Sequence, residues 1–449
     1  MVAKRRLVVI GAVAAGGSAA AKAKRTDPEL EVVLLDRDAD ISYGACGLPY
    51  FISGLIPKKE ALIARSPAEF RKQGIDARTQ HEVREIDVAN RGVRVSDLIK
   101  HADYVLPYDH LVVATGAEAF RPPVPGLDLA GVFTLRTLSD GVALRDALHG
   151  RLPNGVVIVG GGYIGLEMAE AIRALNLPVT VVDMAPRLMP NLDPEMSDLV
   201  LGEVQSHGVR VLLEDGLLRC EGAKRVHQVV TQHHQLVADL VLLSIGVRPN
   251  TYLAQQAGVA LGAGRAIAVD SLGHTSVEGI FAAGDCADTI HQVTGKKAYI
   301  PLGSTANKQG RVVGANIAGM GCTFEGVVGT AVAKIFDLEV ARTGLTEGEA
   351  ASAGFDVVSQ LVHSKDRARY YPGATALHVK VVMDRGSRRL LGAQIVGEKG
   401  AAKRIDVLAA ALYAKMTIDD VSRLDCSYAP PYAPVWDPIL IAANVLRRC

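Results

Sequence analysis

The sequence predicts an α/β fold in three parts: two βαβ units, each built on a glycine turn, and a separate C-terminal α+β part. Three observations carry this. Two strand–glycine turn–helix–strand segments recur about 150 residues apart. Their strands are continuous apolar runs alternating with helices, the pattern of parallel sheets covered on both faces. From about Phe324 the texture changes to mixed strands and helices without a glycine fingerprint. At 449 residues the chain has room for about three domains.

Composition narrows the class. Apolar residues make up 49% and charged residues 22%, as in an ordinary globular α/β protein. A net charge of +1 offers no global attraction for nucleic acid or an anionic membrane, so any anionic ligand must be held by a local cluster. The six cysteines, Cys46, Cys220, Cys286, Cys322, Cys426 and Cys449, are scattered and form no C-x-x-C pair. That spacing argues against a disulfide scaffold or a metal site and points to a reducing compartment, the cytoplasm. Lys4, Arg5 and Arg6 before an Ala-rich run imitate a signal peptide, but Gly11, Gly16 and Gly17 break the run, which belongs to the first glycine turn. No stretch of 18 or more apolar residues suggests a membrane span.

In the first unit Leu7 to Ile10 reads as a strand, Gly11 to Gly17 as the turn, Ser18 to Arg25 as helix and Glu31 to Asp36 as the second strand. Gly11 and Gly16 hold the outer fingerprint positions, Val13 stands at the middle one, and Asp36 follows Gly16 by twenty residues. In the second unit Val156 to Val159 is the strand, Gly160 to Gly165 the turn, the helix runs through Glu167 and Glu170, and Val179 to Asp183 closes the unit. Gly160, Gly162 and Gly165 match G-x-G-x-x-G, with Asp183 eighteen residues beyond. Such glycines allow a tight turn and close approach of a pyrophosphate at a helix N-terminus, and the acid receives ribose hydroxyls. A chance glycine turn is the bland alternative, disfavoured by the flanking strands and acid. Around these units lie Asp109 to Gly116, Asp239 to Pro249 and Thr275 to Ala287, apolar runs ending in small residues, the last including Gly284-Asp285.

Cys46 lies in Ser42-Tyr43-Gly44-Ala45-Cys46-Gly47-Leu48-Pro49-Tyr50, just before an expected helix. A free cysteine is often only a small buried residue. Placed among small residues at a helix N-terminus, it is expected to be a reactive thiol whose thiolate is stabilised. The other five cysteines are read as structural. Lys22, Lys24 and Arg25 form a basic cluster on the first helix, either an anion site or a solvated face.

With SYGACGLPY, ATGA, VGGGYIGLE, SIGVRPN, AAGD, RYYPG and SYAPPYAPVWDP in this order, the chain resembles the single-cysteine branch of the class I pyridine nucleotide-disulfide oxidoreductases over essentially its whole length. Within that branch it is similar to the coenzyme A-disulfide reductases. The resemblance implies two Rossmann-like dinucleotide-binding domains, for FAD (1–117 and 243–323) and NAD(P) (118–242), plus a C-terminal α+β dimerisation domain (324–449). It assigns Gly11, Val13, Ala14, Gly16, Asp36, Thr115, Gly116, Gly284 and Asp285 to FAD. Gly160, Gly162, Tyr163, Ile164, Gly165, Asp183 and Gly246 are assigned to NADH or NADPH, Asp183 favouring NADH although Arg187 follows. Phe51 stands where dithiol members of the family carry a second cysteine, so a dithiol at this site is excluded.

The family's substrate contacts map to Ser18, Lys22, Arg25, Ser42, Asn307 and Trp436. Asn307 replaces a histidine, Trp436 a lysine, and Ala45 an asparagine. Tyr370 and Tyr428 match tyrosines that reach the cysteine from the partner subunit of a homodimer. The implied reaction is NAD(P)H-dependent reduction of coenzyme A disulfide, or of a polysulfide or persulfide, through a mixed disulfide on Cys46. The alternatives are an NADH oxidase or peroxidase of the same family and a non-catalytic flavin redox carrier or sensor. Peroxidases and oxidases place a histidine in the first glycine turn, where this chain has Ala14, and a carrier would not need Cys46.

Overall fold

A computed structural model describes residues 5–150 and 153–448; Lys4 and Cys449 lie outside them. The two glycine-turn units fold into two five-stranded parallel sheets, each with its glycine-turn strand at the centre, although one edge strand comes from late in the chain in the first sheet and from before the glycine turn in the second. The first runs Ile280–Ala282, His110–Val113, Arg6–Ile10, Glu31–Leu35, Ile75–Arg78. The second runs Arg210–Leu212, Val179–Val182, Val156–Val159, Leu240–Leu243, Val132–Thr134. In each, the glycine turn leaves a central strand at the point where the strand order reverses, the place where open α/β sheets bind ligands. The strands are buried on both faces, as their unbroken Val and Leu runs require. The signal-like N-terminal run is therefore core: Leu7, Val8, Val9, Ala19 and Ala20 are fully buried.

The first helix extends from Ala15 to Thr26, three residues earlier than the pattern predicts, because Ala15, Gly16 and Gly17 already pack on the sheet. It is rich in Ala and Gly because helix Gly303–Ile317 lies directly against it. A Cβ on Gly310 would sit 2.2 Å from the Ala15 carbonyl oxygen, and one on Gly314 equally close to that of Ala19. Strand Ile280–Ala282, far along the chain, joins the first sheet beside His110–Val113 and brings Gly284-Asp285 to the first glycine turn.

The C-terminal part is an antiparallel sheet ordered Ala331–Ile335, Leu338–Gly344, Leu390–Gly397, Ala376–Asp384, Val357–Lys365, with helices Ala401–Tyr413 and Pro438–Leu446 packed against it. A buried ion cluster joins it to the second parallel unit. Lys380, only 1% exposed, meets Asp193 at 3.1 Å, Glu195 at 2.5 Å and Glu347 at 3.2 Å. Gln394 donates to the same Asp193 at 2.6 Å, so the buried carboxylate is fully partnered. Among the described residues no helix is long and apolar enough to cross a membrane.

The helix seam gives a direct test. Replacing Gly314 by Val puts a branched side chain where a Cβ alone meets backbone, and should cost about 3 kcal/mol or more in denaturant unfolding. Replacing the neighbouring, exposed Lys308 by Ala should change stability by less than about 0.5 kcal/mol.

Candidate functional site

Both glycine turns use the same device. Gly11 and Gly160 adopt positive φ values of +95° and +109°, which an L side chain rarely takes. Five residues later the helix presses onto the turn: a Cβ on Gly16 would stand 1.8 Å from the Gly11 oxygen, and one on Gly165 1.9 Å from the Gly160 oxygen. Asp36 follows directly on strand Glu31–Leu35, and its carboxylate accepts from the Ala12 N–H at 2.7 Å and from Asp38. Asp183 likewise accepts from Gly161 at 2.6 Å and from Ala185 at 2.8 Å. Burial drives Asp36 up to about 6 despite these bonds.

The residues present suit two dinucleotides. Four helices elsewhere carry full capping boxes, Ser66/Glu69, Thr137/Asp140, Thr346/Glu349 and Thr417/Asp420. The two glycine-turn helices, Ala15–Thr26 and Tyr163–Arg173, have no side-chain cap and no acid in the first turn. Their first N–H groups are left for an external acceptor, which an anionic diphosphate satisfies. A Cβ at Gly162 or Gly246 would meet nothing within 4 Å, so the second cradle is open where a ligand backbone must pass. Ile164 is exposed beside it, and the Tyr163 hydroxyl accepts from Asn191 at 3.0 Å.

Around the first turn, Val13 packs its side chain into the neighbouring hydrophobic cluster instead of blocking the turn, and Ala14 precedes the helix. Thr115 donates to the Asn250 carbonyl at 2.6 Å, and Gly116 has φ +68°. The Gly284 N–H donates to Gln309 at 2.9 Å, and the Arg136 guanidinium holds the Asp285 carboxylate at 2.5 Å.

Cys46 is docked onto this turn. The Ser42 N–H donates to the Ala12 carbonyl at 3.0 Å, Gly44 to Leu62 at 2.9 Å and Gly47 back to Gly44 at 2.9 Å. Ala45–Gly47 makes one 3₁₀ turn leading into helix Leu48–Ile52. The thiol is exposed, while Phe51 is buried under the Arg145 guanidinium. The expected stabilisation of a thiolate by the helix is not realised by the protein groups alone. Crowding by the protein and the Glu167 carboxylate push the thiol up, and Arg136 only partly offsets them. The helix that follows has five residues, too short to supply much dipole. Cys220 and Cys286 are buried; burial pushes Cys220 to about 11, and Cys286 points its thiol at the Val113 and Ala283 carbonyls.

Glu167 is the residue that motif reading passed over. It lies one helical turn after Tyr163, on a helix packed against Leu48–Ile52, and faces both Cys46 and Tyr50. Burial, reinforced by Glu170, drives its carboxyl up to about 7. The signal available in sequence was its position in the second fingerprint helix, but nothing there shows that the first unit's cysteine loop faces it.

Ser18 donates to Asn307 at 2.7 Å, which brings the substrate-matched residues of two helices together. Lys22 and Arg25 continue the Ser18 stripe, whereas Lys24 turns back to the Pro28 and Leu30 carbonyls and leaves the basic cluster. Ser42 sits beside the Cys46 loop with φ +49°. Tyr370 and Tyr428 are exposed on the C-terminal part with their hydroxyls 3.2 Å apart, and Trp436 is 60% exposed nearby in sequence to Tyr432 and Val435, also exposed.

The pyridine nucleotide-disulphide oxidoreductase model matches residues 5–310, and the dimerisation-domain model of the same enzymes matches residues 330–438. The chain belongs to the pyridine nucleotide-disulphide oxidoreductase family. Among curated relatives of the family, an NAD(P)H sulfur oxidoreductase (CoA-dependent) of Pyrococcus abyssi is 41% identical over 99% of this chain and 98% of its own. A coenzyme A disulfide reductase of Staphylococcus haemolyticus is 30% identical over 96% of each. Among solved structures, an NAD-dependent persulfide reductase from A. fulgidus superposes with a TM-score of 0.96 at 39% identity, covering 99% of this chain and 83% of that one.

Because the folded Glu167 carboxyl titrates near 7 against 4.5 when free, the unfolded chain loses this proton first as pH rises. The folded state is then progressively destabilised until the carboxyl itself ionises near 7. Glu167→Gln should therefore raise Tm relative to the parent above about pH 7 and leave it nearly unaltered below about pH 4. A Tm difference independent of pH would contradict the buried-carboxyl assignment.

Proposed function

We propose that this chain is an FAD-dependent NAD(P)H oxidoreductase that reduces coenzyme A disulfide, or a related polysulfide or persulfide, through Cys46. The observation that carries the reading is the Cys46 thiol, the one exposed cysteine among the described residues, held by the hydrogen bonds of its loop onto the first glycine turn, with buried Phe51 in place of a second cysteine. The names of the CoA-dependent sulfur oxidoreductase and the coenzyme A disulfide reductase support the substrate. Ala14 in the first turn, where oxidase and peroxidase chemistry uses a histidine, favours sulfur over oxygen. The cysteine argues in the same way against a carrier without disulfide turnover.

FAD and the nicotinamide cofactor, when bound, supply the two electrons that the sulfur chemistry consumes. Gly11, Val13, Ala14, Gly16, Asp36, Thr115, Gly116, Gly284 and Asp285 are proposed to hold the flavin. Gly160, Gly162, Tyr163, Ile164, Gly165, Asp183 and Gly246 are proposed to hold the nicotinamide cofactor. The Cys46 thiolate attacks one sulfur of the substrate; the S–S bond breaks, one thiol leaves with a proton, and Cys46 keeps the other half as a mixed disulfide. Two electrons and a second proton then free that half and restore the thiolate. Because Cys46 sits beside carboxylates that raise its pKa, Arg136 is the charged side chain that favours the thiolate, helped by a backbone N–H of the loop. Tyr370 and Tyr428 of a facing subunit are proposed to hydrogen-bond the departing sulfur, which makes the homodimer the working unit.

The proposed division is 1–117 with 243–323 for the flavin, 118–242 for the nicotinamide cofactor and 324–449 for the dimer interface, in the cytoplasm. Cys46→Ser should lower disulfide reduction by about a thousandfold or more while the flavin absorbance stays, and mass spectrometry of the native protein should find coenzyme A on Cys46. Full activity in the variant would refute the assignment. Asp183, already tied into its glycine turn, should make kcat/KM higher for NADH than for NADPH. Asp183→Asn should narrow that ratio by about tenfold, measured with the two cofactors side by side.

A further inference from the structure

We propose that Glu203, His207 and Asp337 form a binding site for a divalent transition-metal cation of the Zn²⁺ type, which ties the second parallel unit to the C-terminal sheet. The proposed disulfide chemistry uses none of these residues, and the site stands independently of it. Glu203 and His207 lie one turn apart at the C-terminal end of helix Pro194–Ser206, so their side chains share one face. Asp337 comes from the other part of the molecule, in the tight turn between strands Ala331–Ile335 and Leu338–Gly344. One imidazole nitrogen and one oxygen of each acid lie within 4.8 Å of one another.

Spacing and charge distinguish this cluster from a simple ion pair. The His207 Nε2 stands 3.1 Å from the Glu203 carboxylate and 3.4 Å from that of Asp337. A charged imidazole donating to a carboxylate closes to about 2.7–2.9 Å. Donors bound at about 2.0–2.1 Å to one tetrahedral ion sit about 3.3 Å apart, close to both observed distances. The Asp337 side chain, 74% exposed, has room to turn inward, and the outer side of the cluster stays open to water. Other carboxylates at the same junction have lysines: Glu170 has Lys334, and Asp193, Glu195 and Glu347 share Lys380. Among the described residues Glu203 and Asp337 pair with His207 and with no lysine or arginine. A dication supplies the positive charge that these two acids lack.

The donors are held in place by their surroundings. The Asp337 N–H donates to Glu203 Oε1 at 2.8 Å, and the neighbouring Phe336 N–H donates to Glu170 at 2.8 Å, so the turn is pinned to two helices of the second unit. Phe336 takes φ +53°, a left-handed conformation that a bulky residue rarely adopts. Its ring lies on the His207 imidazole with centroids 4.4 Å and planes 11° apart, which fixes the plane in which Nε2 points. Neighbours that orient an imidazole in this way sharpen its binding of metal. One nitrogen and two carboxylates suit Zn²⁺ or a similar late transition ion better than Mg²⁺, which takes an octahedron of oxygens.

The test uses the flavin-loaded protein carrying Cys46→Ser, which removes the exposed thiol as a competing ligand, after treatment with EDTA. Zn²⁺ binding is measured by calorimetry, and Tm is followed with Zn²⁺ or Mg²⁺ added. At about a hundred times its Kd, Zn²⁺ should raise Tm by about 3 °C, and Mg²⁺ at the same concentration should leave it unaltered. Adding His207→Gln or Asp337→Asn should weaken Zn²⁺ binding by about tenfold or more and abolish the Tm gain, with flavin absorbance retained as the check on folding. Phe336→Leu, which leaves all three donors in place, should weaken binding by a smaller factor. A Tm that saturating Zn²⁺ does not move would overturn the proposal. So would equal Zn²⁺ affinity in the parent and in the His207→Gln and Asp337→Asn proteins, which would place the bound ion elsewhere.

Discussion

The approach of two helices to their glycine turns sets the rest of this structure. At Gly16 and Gly165 the helix comes so near the turn that a single added carbon would overlap a carbonyl oxygen. That approach aims each helix N-terminus at the mouth of a parallel sheet, and neither terminus is closed by a side chain of the protein. Four other helices carry full capping boxes, while Pro194–Ser206, Gly303–Ile317 and Ala401–Tyr413 share the lack of a side-chain cap. Leaving the two glycine-turn helices open costs hydrogen bonds unless a diphosphate supplies them.

The same close packing assembles the candidate site around Cys46 from distant pieces. Helix Gly303–Ile317 can lie on helix Ala15–Thr26 only because Gly310 and Gly314 yield to backbone. It thereby carries Asn307 to Ser18 and Gln309 to Gly284. The Cys46 loop hangs from Ala12 of the turn itself. A shift of the turn would move the thiol with it, so the first glycine turn and the Cys46 loop are mechanically one unit.

Electrostatically the site is poised and unsatisfied. Cys46 is pushed up by crowding and by Glu167, and Glu167 is held near 7 by burial. Arg136 and a backbone N–H of the loop pull the other way, and Arg136 is shared with Asp285. A protein that wanted an inert cysteine would bury it, as Cys220 and Cys286 are buried; here the thiol is raised yet open to solvent. The C-terminal sheet is fixed to the second unit by the Lys380 cluster, in which one buried lysine meets buried Asp193 and the partly exposed Glu195 and Glu347, so removing Asp193 or Lys380 would leave its buried partner short of a counter-charge.

The sequence by itself determined the two parallel units, the glycine turns, the two acids tied into those turns and the cysteine loop beside the first. These depend on local rules: backbone freedom at glycine, apolar periodicity along strands, and a fixed spacing between turn and acid. It also marked Ser18, Lys22 and Arg25, whose helical spacing is local. The tertiary structure decided what depends on remote partners. Lys24 left the basic cluster because carbonyls beyond its own helix took it. Glu167 became a site residue because the second unit packs on the first unit's cysteine loop. Charge at a site is a sum over neighbours in space, and chain order does not show which neighbours those are.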